Sequence, residues 1–217
     1  MNLVQIMNQL RNNRKGYAWY MGSFVLVAML VLALLFISKW ETQLAVETVE
    51  DMTTSSALGA MHINAQQYSL FGDTVFSSDT VNGKNNVSSA GRVASPDKCF
   101  EKLQDLVGSN LGLTRTPGTC SYSGVSSLID TETTPLEIKK AVFYNFYTTD
   151  GFIESYTYEP STGANGYTCS YKADETIFPT GASMDNSGIY IEVVIPLELL
   201  GHHTTITKGQ WVAAKFN

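Results

Sequence analysis

Between Gly16 and Ser38 the chain carries no Asp, Glu, Lys or Arg, and this charge-free run constrains the fold more than any other feature. Its centre reads Phe24-Val25-Leu26-Val27-Ala28-Met29-Leu30-Val31-Leu32-Ala33-Leu34-Leu35-Phe36-Ile37. A helix over residues 17–38 is about 33 Å long, enough for a hydrocarbon core of about 30 Å. Tyr17, Trp19 and Tyr20 stand at one end and Trp40 at the other, where amphipathic rings favour the membrane interface. A cleaved signal peptide has a shorter apolar region and a small-residue cleavage site; Ser38-Lys39-Trp40-Glu41 offers no such site. The span therefore reads as a retained anchor in contact with the lipid bilayer. Arg11, Arg14 and Lys15 precede it, and Glu41, Glu47, Glu50 and Asp51 follow. The positive-inside rule then places a basic head, residues 1–16, in the cytoplasm and residues 39–217 outside. The net charge of −6 is the sum of +3 in that head and −9 in the outer part. No basic stripe is available to meet phosphates, which excludes nucleic acid as an expected partner.

Cys99, Cys120 and Cys169 all fall after the span. An oxidising exterior permits one bridge and leaves one odd thiol. Cys99–Cys120 is the nearest pair and closes a loop of about 20 residues, worth roughly 3 kcal/mol by chain entropy. Cys120–Cys169 is equally allowed, and three reduced, buried cysteines are the alternative. No C-x-x-C occurs, and His202-His203 stands far from any cysteine in sequence, so no zinc site is expected.

The helix is expected to continue beyond the membrane as a stem over residues 39–71, since residues 39–70 contain no Pro and only one glycine, Gly59. Ala45, Val49, Met52, Ser56, Ala60 and Ile63 recur at three- and four-residue steps as a small, weakly apolar stripe. Glu47, Glu50, Asp51 and Thr54 occupy the other side. Residues 72–96 are rich in Gly, Asp, Asn and Ser and read as a polar linker; Asn86-Val87-Ser88 within them fits the glycosylation pattern. Ser95-Pro96-Asp97 opens a short helix, with Ser95 as cap and Gly108 as its expected end. The period then changes to two. Residues 141–147 and 152–158 flank Asp150-Gly151 as a hairpin, residues 166–171 form a third strand, and residues 189–197 and 204–216 form two more. The prediction is an α+β chain: a long N-terminal helix, then a domain over residues 97–217 with a short helix and an antiparallel sheet.

Catalytic constellations are missing. The chain has no G-x-S-x-G elbow, H-E-x-x-H helix, Walker loop or dinucleotide fingerprint. Cys169 with His62, His202 or His203 is a chance pairing rather than a thiol–imidazole motif. His202-His203 reads as a solvated turn, and Asp130, Glu132, Asp174 and Glu175 lack the order of a calcium loop. Neither an enzymatic activity nor a cofactor is expected.

Taken in order, the basic head ending in Arg14-Lys15-Gly16, the immediate apolar span and the stem Thr48-Val49-Glu50-Asp51-Met52-Thr53-Thr54-Ser55-Ser56-Ala57-Leu58-Gly59-Ala60 resemble pilin-like proteins. The nearer resemblance is to the TadE/TadG-like pseudopilins of tight-adherence pili. Val193-Val194-Ile195-Pro196-Leu197 followed by Ile206-Thr207-Lys208-Gly209-Gln210-Trp211 is similar to the paired final strands of that family. The likeness covers residues 11–65 and 188–217. It implies a minor, non-enzymatic subunit of the cytoplasmic membrane that supports assembly of a pilus or secretion apparatus. Its partners would be other pilin-like or assembly-platform membrane proteins, with oligomers forming through the N-terminal helix. Processing by a prepilin peptidase would fall between Gly16 and Tyr17. The fifth residue after that bond is Met21, where pilins carry Glu, so an unprocessed, permanently anchored subunit suits the sequence better than a major pilin. The other reading is an unrelated single-pass surface protein whose ectodomain binds a protein or glycan.

Overall fold

The computed structural model describes residues 3–63, 68–70, 75–76, 95–124, 129, 131, 133–147, 151–173, 186–199 and 202–213; side chains within residues 3–16, Gln5 excepted, and that of Leu199 lie outside that description. Asn86, Asp130, Glu132, Asp150, Asp174 and Glu175 lie outside the described residues.

Helix α1 runs Leu3–Ala60, as expected for a stretch without proline. The chain forms two compact units, residues 1–43 and 44–217, and α1 contributes to both. The helix ends at Ala60 instead of continuing toward Tyr68. Met61 still donates its N–H to the carbonyls of Ala57 and Leu58, at 3.1 and 3.3 Å. Ile63 then leaves the helix to form a β-bridge with Phe76. Two apolar residues of the expected polar linker, Val75 and Phe76, are fully buried, and burial of such side chains outweighs the linker's polar composition.

The second unit is α+β: its described residues include the later part of α1, a further long helix and a seven-stranded sheet. Helix α2 spans Asp97–Leu111. Ser95 does not cap it; its hydroxyl instead donates to the Asp97 carboxylate. The helix passes Gly108 and closes at Gly112, which adopts φ +67°. Gly112 N–H to the Ser109 carbonyl (3.2 Å) and Leu113 N–H to the Gly108 carbonyl (2.8 Å) complete a Schellman closure. Gly108 is small for a different reason: a Cβ there would lie 3.0 Å from the Leu113 carbonyl oxygen and 3.4 Å from the Tyr122 ring.

The strands are β1 (Thr114–Arg115), β2 (Ser121–Ser123), β3 (Leu136–Tyr147), β4 (Phe152–Pro160), β5 (Tyr167–Ala173), β6 (Gly188–Leu199) and β7 (His202–Ala213). All pairings are antiparallel. Strand β3 is central: β6 and then β7 lie on one side of it, β4 and then β5 on the other, with β2 and β1 beside its first residues. The hairpin expected around Asp150-Gly151 pairs Tyr147 with Phe152 and Ala141 with Tyr158.

Alternation divides the sheet into two faces. Leu136, Ile138, Phe143, Tyr158, Ile189, Ile191, Val193 and Ile195 join Phe100, Leu103 and Val107 of α2 in the principal core. The second face carries a smaller cluster of Val142, Tyr144 and Ile153, flanked by Phe146, Tyr190 and Trp211. Two of these rings lie across glycines of the neighbouring strand. A Cβ on Gly188 would come within 2.3 Å of Trp211, and one on Gly209 within 2.2 Å of the Tyr190 hydroxyl.

The stem is an integral part of this core. Ala45, Val46, Val49, Ala57 and Ala60 are buried in the principal cluster. The small-residue stripe therefore packs within its own domain: a Cβ on Gly59 would lie 2.9 Å from Leu106 of α2, and Asn110 of α2 donates to the Ser56 hydroxyl at 2.9 Å. On the flank, Thr54 donates to Gln210 at 2.9 Å and Lys208 pairs with Glu50 at 3.2 Å.

Candidate functional site

The part of α1 in the first unit is unusual in what it leaves uncovered. Trp19 and Tyr20 are each 80% exposed, and Phe24, Leu26, Met29, Leu32, Leu35 and Phe36 are exposed around the helix. A helix that is apolar all round and uncovered cannot be a core helix of this chain. Its polar groups are turned inward: the Ser23 hydroxyl donates to the Trp19 carbonyl one turn earlier at 2.9 Å, which suits a medium without water to bond. Among the described residues, one helix, Tyr17–Ala60, is long and apolar enough to cross a membrane, and none of its most apolar window is buried. The structure thus supplies a candidate membrane anchor, consistent with contact with a lipid bilayer. Gly16 and Tyr17, the expected processing position, lie within continuous helix, and Tyr17 is exposed.

Two polar clusters in the second unit were not foreseen. The first surrounds Glu154, which is 1% exposed. One of its carboxylate oxygens accepts from Asn145 Nδ2 (3.0 Å) and from the Tyr147 hydroxyl (2.8 Å), and the other from the Tyr171 hydroxyl (3.5 Å). Asn145 is held in this orientation because its Oδ1 accepts the Phe76 N–H at 2.7 Å. These partners belong to β3, β4, β5 and the segment at Phe76, so the carboxylate ties four pieces of chain together. A strand pattern with one acidic residue on the apolar face was the available signal, and in the run Phe152-Ile153-Glu154-Ser155-Tyr156 it is ambiguous by alternation alone.

The second cluster gathers where α2 begins. The Tyr158 hydroxyl donates to Asp97 at 2.7 Å and lies 3.3 Å from the Ser95 hydroxyl. Phe100 stacks on Tyr158 at 4.3 Å, and Tyr167 meets Phe100 edge-on at 4.9 Å. Burial, the leading cause, raises the Tyr158 phenol well above its ordinary range and pushes Tyr167 up to about 12. Both phenols therefore stay protonated at neutral pH, and Tyr158 acts as a hydrogen-bond donor to Asp97.

The cysteines are three free thiols, so the Cys99–Cys120 bridge expected from spacing is not formed. Cys99 Sγ faces the His62 carbonyl at 3.9 Å, whereas Cys120 Sγ accepts from Gln104 Nε2 at 3.2 Å and faces the Gly166 carbonyl at 3.6 Å. Burial pushes the Cys99 thiol up to about 11 and raises Cys120 and Cys169 as well. None of the three is poised as a thiolate. Cys169 is exposed on β5, beside Tyr158 and Ser95. His202 and His203, expected in a turn, are the exposed first residues of β7, opposite Leu199 and Glu198. Among the described residues no group of three or more His, Cys, Asp or Glu side chains is placed to hold a metal ion.

No protein-family model, curated protein sequence or solved structure matches the chain significantly.

Proposed function

We propose that this chain is a non-enzymatic, single-pass membrane subunit, similar to the TadE/TadG-like pseudopilins, that supports assembly of a pilus or secretion apparatus. The observation that carries the reading is α1 itself. One uninterrupted helix supplies an uncovered apolar segment without charge and, further on, a buried edge of an α+β domain. The flanking charges, Arg11, Arg14 and Lys15 before the span and Glu41 and Glu47 after it, support a cytoplasmic N-terminus and an extracytoplasmic domain. Because the stem stripe is already packed within the domain, lateral contacts with other subunits fall to the span. Met21 in the position of the pilin glutamate supports a subunit that keeps its N-terminus.

Deletion of the gene in its native host tests this reading. Surface filaments or secreted protein are expected to be lost, and restored by the full chain but not by a Leu30→Lys, Leu34→Lys variant that cannot insert. Unchanged filaments and secretion would overturn it. Met21 also suits the second reading, a single-pass surface protein that binds a protein or glycan, and N-terminal sequencing bears on both: a chain beginning at Tyr17 supports pilin-type processing.

A further inference from the structure

An edge strand of a sheet presents a row of backbone donors and acceptors to whatever lies beside it. Strand β7 is such an edge: among the described residues it pairs with β6 alone. Its twelve residues run against β6 without a register shift, from Gly188 opposite Ala213 to Leu199 opposite His202. Pro196 decides which groups face outward. It has no N–H to donate, and β3 pairs with β6 only as far as Val194, so the Pro196 nitrogen belongs on that open side. Pro196 and Thr205, which stand opposite each other, then exchange no hydrogen bonds. By alternation Thr205, Thr207 and Gly209 turn their N–H and C=O groups away from β6. All three residues are exposed, and among the described residues these groups have no backbone partner.

A short strand, a proline, a bulge or a charged side chain blunts most natural edges. Residues 204–210 have neither proline nor bulge. Their single Lys, Lys208, is drawn onto the stem by Glu50 at 3.2 Å and does not guard the edge. Extended polypeptide backbone supplies acceptors and donors in the alternating order that these residues present. Charge selects the kind of polypeptide. Residues 44–217 hold 10 Lys and Arg against 19 Asp and Glu, so two copies repel each other and a cationic segment is attracted. One position adds a side-chain preference. The Tyr190 hydroxyl lies across Gly209, and an incoming aromatic residue opposite Gly209 packs against that ring.

We infer that the outer edge of β7, at Thr205, Thr207 and Gly209, receives an extended, cationic segment of another polypeptide as an added strand. The edge lies wholly within the second unit, so this contact is independent of whether α1 spans a membrane. It adds a partner surface to the domain beyond the contacts assigned to the span.

The experiment uses the full chain in nonionic detergent micelles. Its probe is the end-blocked, fluorescein-labelled peptide Lys-Phe-Thr-Val-Val-Thr-Lys. In antiparallel register this peptide sets Phe opposite Gly209, its first Val opposite Thr207 and its second Thr opposite Thr205. Saturable binding by fluorescence anisotropy is expected, with hydrogen exchange at the Thr205, Thr207 and Gly209 amides slowed several-fold. Two changes remove backbone bonding at one point from either side: N-methylation of the first Val, and Thr207→Pro, whose lost N–H makes no bond to β6. Each is expected to weaken binding about tenfold. Replacing both peptide lysines by Glu is expected to weaken it at low salt, with the difference shrinking as salt is added. Absence of binding, binding that survives N-methylation, or binding that leaves the three amides unprotected overturns the inference. Amides protected before peptide is added, increasingly so at higher protein concentration, would assign the edge to a second copy and overturn it too. The N-methylated peptide decides the matter on the unaltered chain if Thr207→Pro does not fold.

Discussion

Glu154 shows how a single buried residue can be tested against its hydrogen-bond ledger. Its carboxylate receives Asn145 and Tyr147 on one oxygen, and Asn145 cannot turn over without abandoning the Phe76 N–H. Glu154→Gln keeps an oxygen for those two donors and turns an amide N–H toward the Tyr171 hydroxyl oxygen, so it should cost only about 1 kcal/mol. Glu154→Leu leaves both donors without this acceptor in a dry interior and should cost about 3–5 kcal/mol. Urea unfolding midpoints of the two variants check this, and a leucine variant as stable as the glutamine one would refute the role given to the cluster. Gly166 makes a second case. Its φ is +74°, and a Cβ there would lie 2.2 Å from the Gly118 carbonyl carbon. Gly166→Ala therefore combines a left-handed penalty of about 1–2 kcal/mol with backbone overlap between two turns, and should lower the melting temperature far more than Gly151→Ala, where the added atom meets nothing within 4 Å. Cys99 predicts the response to alkali. Burial raises its folded value from 9.0 to about 11, so the folded state holds the proton more tightly than the unfolded chain. The associated stability is complete below about pH 9 and is lost by about pH 11, at about 1.4 kcal/mol per pH unit. Thermal melts across that range should decline, and Cys99→Ala should flatten the decline.

At the scale of elements, the features legible in the sequence were those with a strict period. The charge-free run after Gly16 announces α1, and the alternation around Asp150-Gly151 announces β3 and β4 down to the pairing of Tyr147 with Phe152. Boundaries were less legible, because they depend on partners distant in sequence. The end of α1 at Ala60 coincides with the departure of Ile63 to pair with Phe76, and no local signal in a Gly- and Pro-poor segment foretells it. Val75-Phe76 is too short an apolar pair to stand out from a polar stretch, yet it is fully buried. Gly108 reads as a helix end by type, but its smallness serves packing against Leu113 and Tyr122. Both clusters at Glu154 and Tyr158 depend on cross-strand register, which a one-dimensional pattern does not reveal. Element contacts also yield a prediction. Gly188 lies under the Trp211 ring, and a side chain there would overlap both that ring and the Val212 carbonyl. Gly188→Val should push β7 from β6 at its far end, losing about 3 kcal/mol or more, with the tryptophan emission shifted to the red.

For the whole molecule, the decisive question is where the domain begins, because α1 serves two environments. Removing residues 1–43 takes away an uncovered apolar helix and no member of the principal core. Removing seventeen further residues, to leave 61–217, also takes away Ala45, Val46, Val49, Ala57 and Ala60. It strips the cover from Ile191, Val193 and Ile195, which line the cleft with Val49 and Thr53. Burying Val49 alone is worth roughly 1.5–3 kcal/mol, and domains are stable by only about 5–15 kcal/mol in total. Val46 and Val49, the three alanines packed with them, and the Glu50–Lys208 and Thr54–Gln210 links together take up a large part of that margin. The fragment 44–217 should accordingly be soluble without detergent and unfold in one cooperative transition, while 61–217 should aggregate or give a broad, sloping melt. Equal cooperativity in both fragments would show that residues 44–60 merely lie beside the sheet. Insolubility of 44–217 in the absence of detergent would show that the apolar character of this chain is not confined to the span, since the segment that remains has its large aliphatic side chains on β3 and β6 already covered by the stem.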